Sequence, residues 1–234
     1  MNKLTDALRA ALLKLDTPTV CNALEVVAPK RRGYGYTVQP LVCTRPALPP
    51  MVGVARTASI RAAHPSDLGG AESRAMQDAY YAYVGAGATP AIMVIQDLDG
   101  PQRGYGSWWG EVNSNVHKGL GCLGVITDGS VRDLPDIAEG FQMLADRVGP
   151  SHAFVHPVDF GRTVTVSGMR VADGDLIHAD QHGAVVIPWE VAEAVPDAAA
   201  AIARRERVII TAAREPGFNI ERLRKAWGDA AEIH

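Results

Sequence analysis

The sequence predicts an α/β protein built on βαβ units, with helices at both ends of the chain. Residues 91–97 (AIMVIQD) and 122–127 (CLGVIT) are short, nearly continuous apolar runs of the kind buried strands show. The segment between them, EVNSNVHKG at 111–119, has helical spacing, with Val112 and Val116 four apart. Strand, helix and strand in that order form a crossover between parallel neighbours. After residue 150 the character changes: short β-like runs alternate with turns at Ser167-Gly168, Asp173-Gly174 and His182-Gly183. No internal repeat or compositional break divides the 234 residues, so one domain over 1–234 is expected.

Taken in order, MNKLTDALRAALLKLD reads as an amphipathic helix with Leu4, Leu8, Leu12 and Leu15 on one face. Charges at Lys3, Asp6, Arg9 and Lys14 break any apolar run, which argues against a signal peptide. DTPTVCNALEVV reads as a second helix, with Thr17 as N-cap and Pro18 at the first helical position. The Pro- and Gly-rich stretch after it is irregular but too apolar for a disordered linker. VGVARTASIRAA (52–63) reads as a strand and ESRAMQDAYYAYVGAG as a helix ended by Gly85. The glycine-rich LDGPQRGYGSWWG leads into the 111–119 helix, with Gly119 as its C-cap. DGSVRDLPDIAEG reads as a turn and a short helix with Pro135 near its start, and from Pro188 onward the chain looks helical.

Composition narrows the function classes. With 47% hydrophobic and 21% charged residues and a net charge of -3, the chain is of the soluble globular type. A pI of 6.2 gives no electrostatic reason for a nucleic-acid partner. No apolar run approaches the roughly 20 residues needed to cross a bilayer. Cys21, Cys43 and Cys122 show no metal-ligand spacing, so buried reduced thiols and a cytoplasmic location are expected. A phosphate loop and a nucleophile elbow are both missing, and no lysine lies in an apolar strand, which argues against Schiff-base chemistry.

Gly119-Leu-Gly121-Cys-Leu-Gly124 has the spacing of a dinucleotide-binding loop, but its context is reversed. Such a loop needs a strand before it and a helix after it. Here the helix comes first, so the glycines are read as a helix-to-strand turn. The loop before the 111–119 helix has the right context. The N–H groups of Gly110, Glu111, Val112 and Asn113 are its first-turn donors, suited to a carboxylate. The alternative is an ordinary loop whose amides are satisfied by water or Ser107. Arg132-Asp133 closes the next strand at the same sheet edge, where ligands of open parallel sheets collect. Arg132 offers a planar fork for a carboxylate or enolate oxygen, and Asp133 a hard oxygen ligand for Mg²⁺. The alternative is an Arg–Asp pair bridged to itself, with Asp133 capping a helix that starts at Leu134. His178-x-Asp180-x-His182 alternates as metal ligands on a strand would, but Gly183 favours a turn. His152 and His156 read as single core or surface histidines.

WWGE at 108–111, followed by GLGCLGVITDGSVRD at 119–133, resembles the signature of the RraA-like family. That family includes the 4-hydroxy-4-methyl-2-oxoglutarate aldolases and the regulator of ribonuclease activity A. LDTPTVCNAL, VGVARTAS (52–59) and VADGDLIHADQHGAVVIP (171–188) extend the resemblance over most of the chain. It implies a swivelling-type α/β/β sandwich, a single aldolase-type domain, and homotrimers or hexamers with sites at subunit interfaces. It also implies a lyase using Mg²⁺ or Mn²⁺ that cleaves a 4-hydroxy-2-oxo acid to pyruvate. Candidate substrates are 4-hydroxy-4-methyl-2-oxoglutarate and 4-carboxy-4-hydroxy-2-oxoadipate, with oxaloacetate decarboxylation as a side activity.

Carried over residue by residue, the amides of Gly110 to Asn113 bind the pyruvyl carboxylate, Arg132 contacts the substrate and Asp133 ligates the metal. Glu206 is the best match to an acid that a neighbouring subunit's C-terminal helix supplies, with Glu193 and Glu215 nearby. The sequence departs from the family pattern at Asn22, where Asp is usual, in IRAAHPSDLGG with its His64, and in RVGPSHAFVHPVDFGR with its two histidines. Two readings compete: a non-enzymatic regulator that binds a ribonuclease or another protein, and a metal-dependent hydratase or decarboxylase of a different oxo acid.

Overall fold

A computed structural model describes residues 3–233. In chain order the strands are β1 (Val42–Cys43), β2 (Met51–Arg61), β3 (Ala91–Asp97), β4 (Ser107–Trp109), β5 (Cys122–Val131), β6 (Gln142–Val148), β7 (His156–Phe160), β8 (Val164–Val166), β9 (Met169–Val171), β10 (Leu176–Asp180) and β11 (Gly183–Ile187). The α-helices are α1 (Asp6–Leu12), α2 (Thr17–Val27), α3 (Gly70–Gly85), α4 (Glu111–Gly119), α5 (Val195–Ala213) and α6 (Ile220–Ala231). One mixed sheet runs β1-β6-β5-β3-β2-β10-β11, with β4 added to the end of β5 and β7 to the end of β2. Its centre, β6-β5-β3-β2, is parallel.

The parallel centre is apolar because both its faces are covered. On one face Tyr80, Val84, Trp108, Trp109 and Phe141 pack over Met93, Ile95 and Val125. On the other the β8–β9 hairpin lays Val164, Val166, Met169 and Val171 over Ala55, Ile92, Val94 and Ile126. Helices, sheet and hairpin are the three layers of the expected α/β/β sandwich. A third cluster joins α1, α2 and α5 to the β10 end of the sheet through Leu8, Leu12, Val20, Leu24, Leu176, Val185 and Val195.

Several local expectations change. Thr17 is the first residue of α2 and not its cap; Asp16 caps it, accepting the Thr19 N–H at 2.8 Å. Both residue types can cap, and the tertiary partner decides. Thr17 is buried, donating its N–H to Asp180 Oδ2 at 2.9 Å and its hydroxyl to His178 Nδ1 at 3.0 Å. The first helix is shorter than expected and starts after Thr5, whose hydroxyl accepts the Leu8 N–H. Met1 and Asn2 of that expected helix lie outside the described residues.

Asp128-Gly129 is not a turn but part of β5, at a register shift between Thr127 and Ser130 where β4 joins as a neighbour. DLPDIAEG holds only a 3-10 turn at Leu134–Asp136, since Ile137 after it takes ψ 135° and leaves the helical path. β1 and β6 carried no clear sequence signal, and β6 completes the parallel centre. Gly119 ends α4, and the reversal into β5 is made by Gly121 at φ 90°. Ser167 (φ 49°) and Gly168 (φ 86°) both take positive φ, the two-residue turn that matches hairpin twist. Cys122 is buried while Cys21 and Cys43 are half-buried, and all three thiols are free. Among the described residues no helix is long and apolar enough to cross a membrane.

Candidate active site

The crossover from β3 to β5 runs through a loop, β4 and α4. β4 pairs with β5 through Trp109 opposite Val131, so Gly110 and Arg132 emerge side by side. The Arg132 N–H donates to Trp109 O at 2.9 Å and seals that junction. Asp133 takes φ 53°, a left-handed backbone that Asp and Asn tolerate better than most residues. This turns its carboxylate back over the start of α4. Oδ2 accepts the Glu111 N–H at 3.2 Å and lies 3.5 Å from Arg132 Nε.

A methyl group on Gly110 would sit 2.3 Å from Asp133 Oδ2 and 3.2 Å from Arg132 Cγ. Gly110 is therefore required by close approach; its φ of -164° is ordinary extended backbone. Ser107, the alternative partner for the α4 amides, is turned away and bonds Ser130 Oγ at 2.7 Å. The amides of Val112 and Asn113 have no helical acceptor behind them. Arg132 and Asp133 are each about a third exposed, at 35% and 36%. The Arg–Asp contact is thus present at long range, while the Asp133 side chain caps α4 and not the turn that follows it.

α4 is braced from below by a buried polar chain that the sequence did not reveal. The Asn113 side chain donates to Trp108 O at 2.5 Å and accepts from the Tyr81 hydroxyl at 2.6 Å. His117, fully buried, lies 2.7 Å from Asn113 O and 2.7 Å from the Tyr80 hydroxyl. A carbonyl only accepts, so Nδ1 carries the hydrogen and Nε2 accepts from Tyr80. Burial pushes this imidazole down to about 4, against the pull of the Asn113 bond.

The folded pKa is depressed, so below about 6.5 the unfolded chain takes a proton that the folded chain refuses until about 4. Stability is lost as pH falls through that window, by about 3 kcal/mol from this one residue. Urea unfolding of wild type and His117→Gln between pH 7 and 4 is expected to show a flatter pH slope in the variant. Parallel slopes would contradict this.

These observations can be set beside known proteins. The RraA-like family model, described as Aldolase/RraA, matches residues 17–186. The chain belongs to the RraA-like family. An uncharacterized protein of Methanocaldococcus jannaschii is 32% identical over 120 residues, which cover 50% of this chain and 57% of that protein. The chain thus spans little more than half the length of that curated relative. A solved structure of an uncharacterized protein from Pseudomonas syringae pv. tomato superposes with TM-score 0.72 at 21% identity, covering 96% of each chain. A Streptomyces coelicolor protein, reported as an unusual member of the RNase ES inhibitor RraA protein family, gives TM-score 0.69 at 21% identity. It covers 88% of this chain and 97% of its own. At these identities the two structures establish a shared fold.

In this RraA-like chain Glu206 does not join Arg132 and Asp133. It is exposed on α5, which packs against α6 and, in the third core cluster, against α2, away from the layer that holds α4. Glu193 and Glu215 are likewise exposed. α5 and α6 lie beyond the segment that the family model matches.

His178, Asp180 and His182 do gather, but around the start of α2. Asp180 Oδ1 accepts the His182 N–H at 2.8 Å and faces His182 Nδ1 at 3.0 Å, while His178 Nε2 points at the Leu15 carbonyl at 3.1 Å. Burial raises the Asp180 carboxyl, yet the bonds from Thr17 and His182 outweigh it and hold the group below its usual range. His178 and Asp180 lie in β10, and the expected turn is confined to Gln181-His182 before β11; the cluster ties α2 to β10. Among the described residues no group of three His, Cys, Asp or Glu side chains is arranged to hold a metal.

A second set of functional candidates was not singled out from sequence. Asp97 and Asp128, each 2% exposed, end β3 and sit in β5 at the carboxyl edge of the sheet. Burial pushes the Asp128 carboxyl up to about 6, against the Asp97 N–H and the Arg103 guanidinium, which favour its charged form. The only sequence signal was the Asp that closes the apolar run 91–97.

Proposed function

We propose that this chain is a divalent-metal-dependent lyase that cleaves a 4-hydroxy-2-oxo acid to pyruvate. The observation that carries the reading is the junction of Gly110, Arg132 and Asp133. The start of a helix, a guanidinium and a partly exposed carboxylate meet where two loops of the sheet edge come together, and a side chain on Gly110 would collide with Asp133. A protein-binding module has no need of that combination.

Asp133 would hold Mg²⁺ or Mn²⁺ through its carboxylate. One protein carboxylate suits Mg²⁺, which keeps several waters and takes one or two such ligands. When bound, the ion would draw charge from the 2-oxo acid and lower the pKa of a bound water.

The chain's own residues supply the rest. The Val112 and Asn113 amides of α4, next to the Glu111 amide that Asp133 takes, orient the substrate carboxylate, and Arg132 donates to the C2 oxygen as negative charge builds there. A base takes the C4 hydroxyl proton and the C4 oxygen becomes a carbonyl, released with C4 as the second product. The C3–C4 pair becomes the C2–C3 double bond as the C2 carbonyl pair moves to oxygen, giving the enolate. Water then protonates C3, giving pyruvate. Glu206 of a neighbouring copy is the proposed acid–base partner, with the open side of the site closed by that copy in a trimer or hexamer. The same electron sink would decarboxylate oxaloacetate.

Pyruvate release, coupled to lactate dehydrogenase, tests this on 4-hydroxy-4-methyl-2-oxoglutarate, 4-carboxy-4-hydroxy-2-oxoadipate and oxaloacetate. At least one substrate is expected to release pyruvate with Mg²⁺, and EDTA should reduce the rate to background until Mg²⁺ is restored. Release that ignores EDTA, or no release from any of the three, would overturn the proposal.

A further inference from the structure

The loop between β3 and β4, residues 98–106, is anchored to the sheet by buried carboxylates that hold main-chain N–H groups. Asp128 Oδ1 accepts from Asp97 N at 2.7 Å. Asp97 accepts from Asp99 N at 2.9 Å and from Gly104 N at 2.8 Å. Asp99 accepts from Ala62 N at 2.6 Å and Ala63 N at 2.8 Å. The chain of bonds therefore runs from β5, which leads into Arg132-Asp133, to the loop that leads through β4 into Gly110.

One cation of the loop closes this chain. Arg103 Nη1 lies 3.3 Å from Asp128 Oδ2, and Nη2 lies 3.4 Å from Gln39 Oε1. Both contacts are long, and the arginine side chain is 32% exposed against 3% for Asp128. Arg103 stands at the mouth of a cleft of about 570 Å³ lined also by Gln39, Gln96, Asp128, Thr165 and Ser167. Two glycines let the loop lie close against its neighbours. A side chain on Gly104 would meet Arg147 Cδ at 2.9 Å, and one on Gly106 would meet His152 O at 2.4 Å.

We propose that Arg103 and Asp128 form a latch that positions the 98–106 loop and, through β4, sets the Gly110 end of α4 against Asp133. Its consequence for catalysis rests on the lyase reading; the latch itself does not. Arg103 and Asp128 are positioning residues: neither is within the Gly110–Arg132–Asp133 junction, and both act on it through the loop and β4. A buried carboxylate facing one loosely held guanidinium is also a proton-sensitive pairing. The charged groups around Asp128 are Asp97 and Arg103, then Asp99 with Arg61, and Arg147 with Asp146 beneath Gly104. Gln39, Gln96, Thr165 and Ser167 face it uncharged. Above about pH 6 Asp128 is charged and the latch is closed; below it the attraction to Arg103 is lost.

Hydrogen exchange of the full-length protein, read by mass spectrometry, tests the latch without reference to activity. Asp128→Asn keeps an acceptor for the Asp97 N–H, removes the charge and turns an N–H toward Arg103, so it breaks the latch alone. At pH 7 it is expected to speed exchange about tenfold in peptides from 98–109, with 91–97 and 122–127 at wild-type rates. Wild type taken from pH 7 to 5, corrected for intrinsic exchange, should open the same segment, and Asp128→Asn should show no further change.

Arg103→Ala leaves a buried carboxylate without its cation and can unfold, so Arg103→Ala/Asp128→Asn serves as the second variant and should match Asp128→Asn. Unchanged exchange in 98–109 would overturn the latch. So would faster exchange across the whole chain, which marks a merely structural pair. Given pyruvate release, Asp128→Asn should raise KM severalfold with kcat within about twofold. A wild type that releases no pyruvate counts against the lyase reading and leaves the exchange result standing.

Discussion

Replacing Arg132 or Asp133 with alanine is expected to lower kcat/KM for the 4-hydroxy-2-oxo acid by about 10²- to 10³-fold, the usual cost of losing a group aimed at developing charge. The two losses have different origins. Arg132 would stabilise the enolate oxygen with a planar fork, so Arg132→Lys should recover little of the rate. Asp133 has two functions that can be separated. Its left-handed backbone and its bond to the Glu111 N–H shape the start of α4, while its charge would hold the metal. Asn tolerates the same backbone and still accepts that N–H. Asp133→Asn should therefore fold and melt close to wild type yet be nearly as inactive as Asp133→Ala. Steady-state pyruvate release beside a thermal melt decides it: an Asp133→Asn protein keeping more than half of wild-type activity removes Asp133 as the metal ligand.

Gly110→Ala is expected to be almost as damaging without touching any reacting group. The added methyl would lie 2.3 Å from Asp133 Oδ2, so the carboxylate must move. A displacement of about 1 Å at a catalytic group can cost about 10²-fold in rate. Gly119→Ala is the control, because nothing lies within 4 Å of that position. It should keep full activity and be neutral or slightly stabilising, since alanine is the better helix former. Equal activity in the two variants would show that the Gly110–Asp133 contact does not set the site. This pair also bears on the dinucleotide-like glycines, one of which is Gly119.

The strands whose two faces are both buried were legible because burial leaves a continuous apolar run, as in AIMVIQD and CLGVIT. The hairpin turns were legible because Ser167-Gly168 and His182-Gly183 need backbone conformations few other pairs adopt. β6 was not, since QMLADRV mixes buried and exposed residues at the end of the parallel centre and has no run or alternation of its own. Asp128-Gly129 reads as a turn by local chemistry, yet the pairing of β5 with β4 and β6 keeps it in a strand. Thr17 and Asp16 are both competent caps, and only Asp180 on β10 decides between them.

By itself the sequence determined the α/β class, the crossover and the delivery of Arg132 and Asp133 to the sheet edge beside Gly110, while the layer order was what the family resemblance implied. Class, crossover and delivery follow from hydrophobic period and strand–helix order, which are local properties. Tertiary structure alone decided how the site is held together. The Asp133 carboxylate over Gly110, the Tyr80–His117–Asn113 brace and the chain of bonds from Asp128 to Asp97 each join residues more than 20 positions apart. Carboxylates and amides carry no periodic signature. Their partners are fixed only when packing excludes water and every buried donor must find an acceptor.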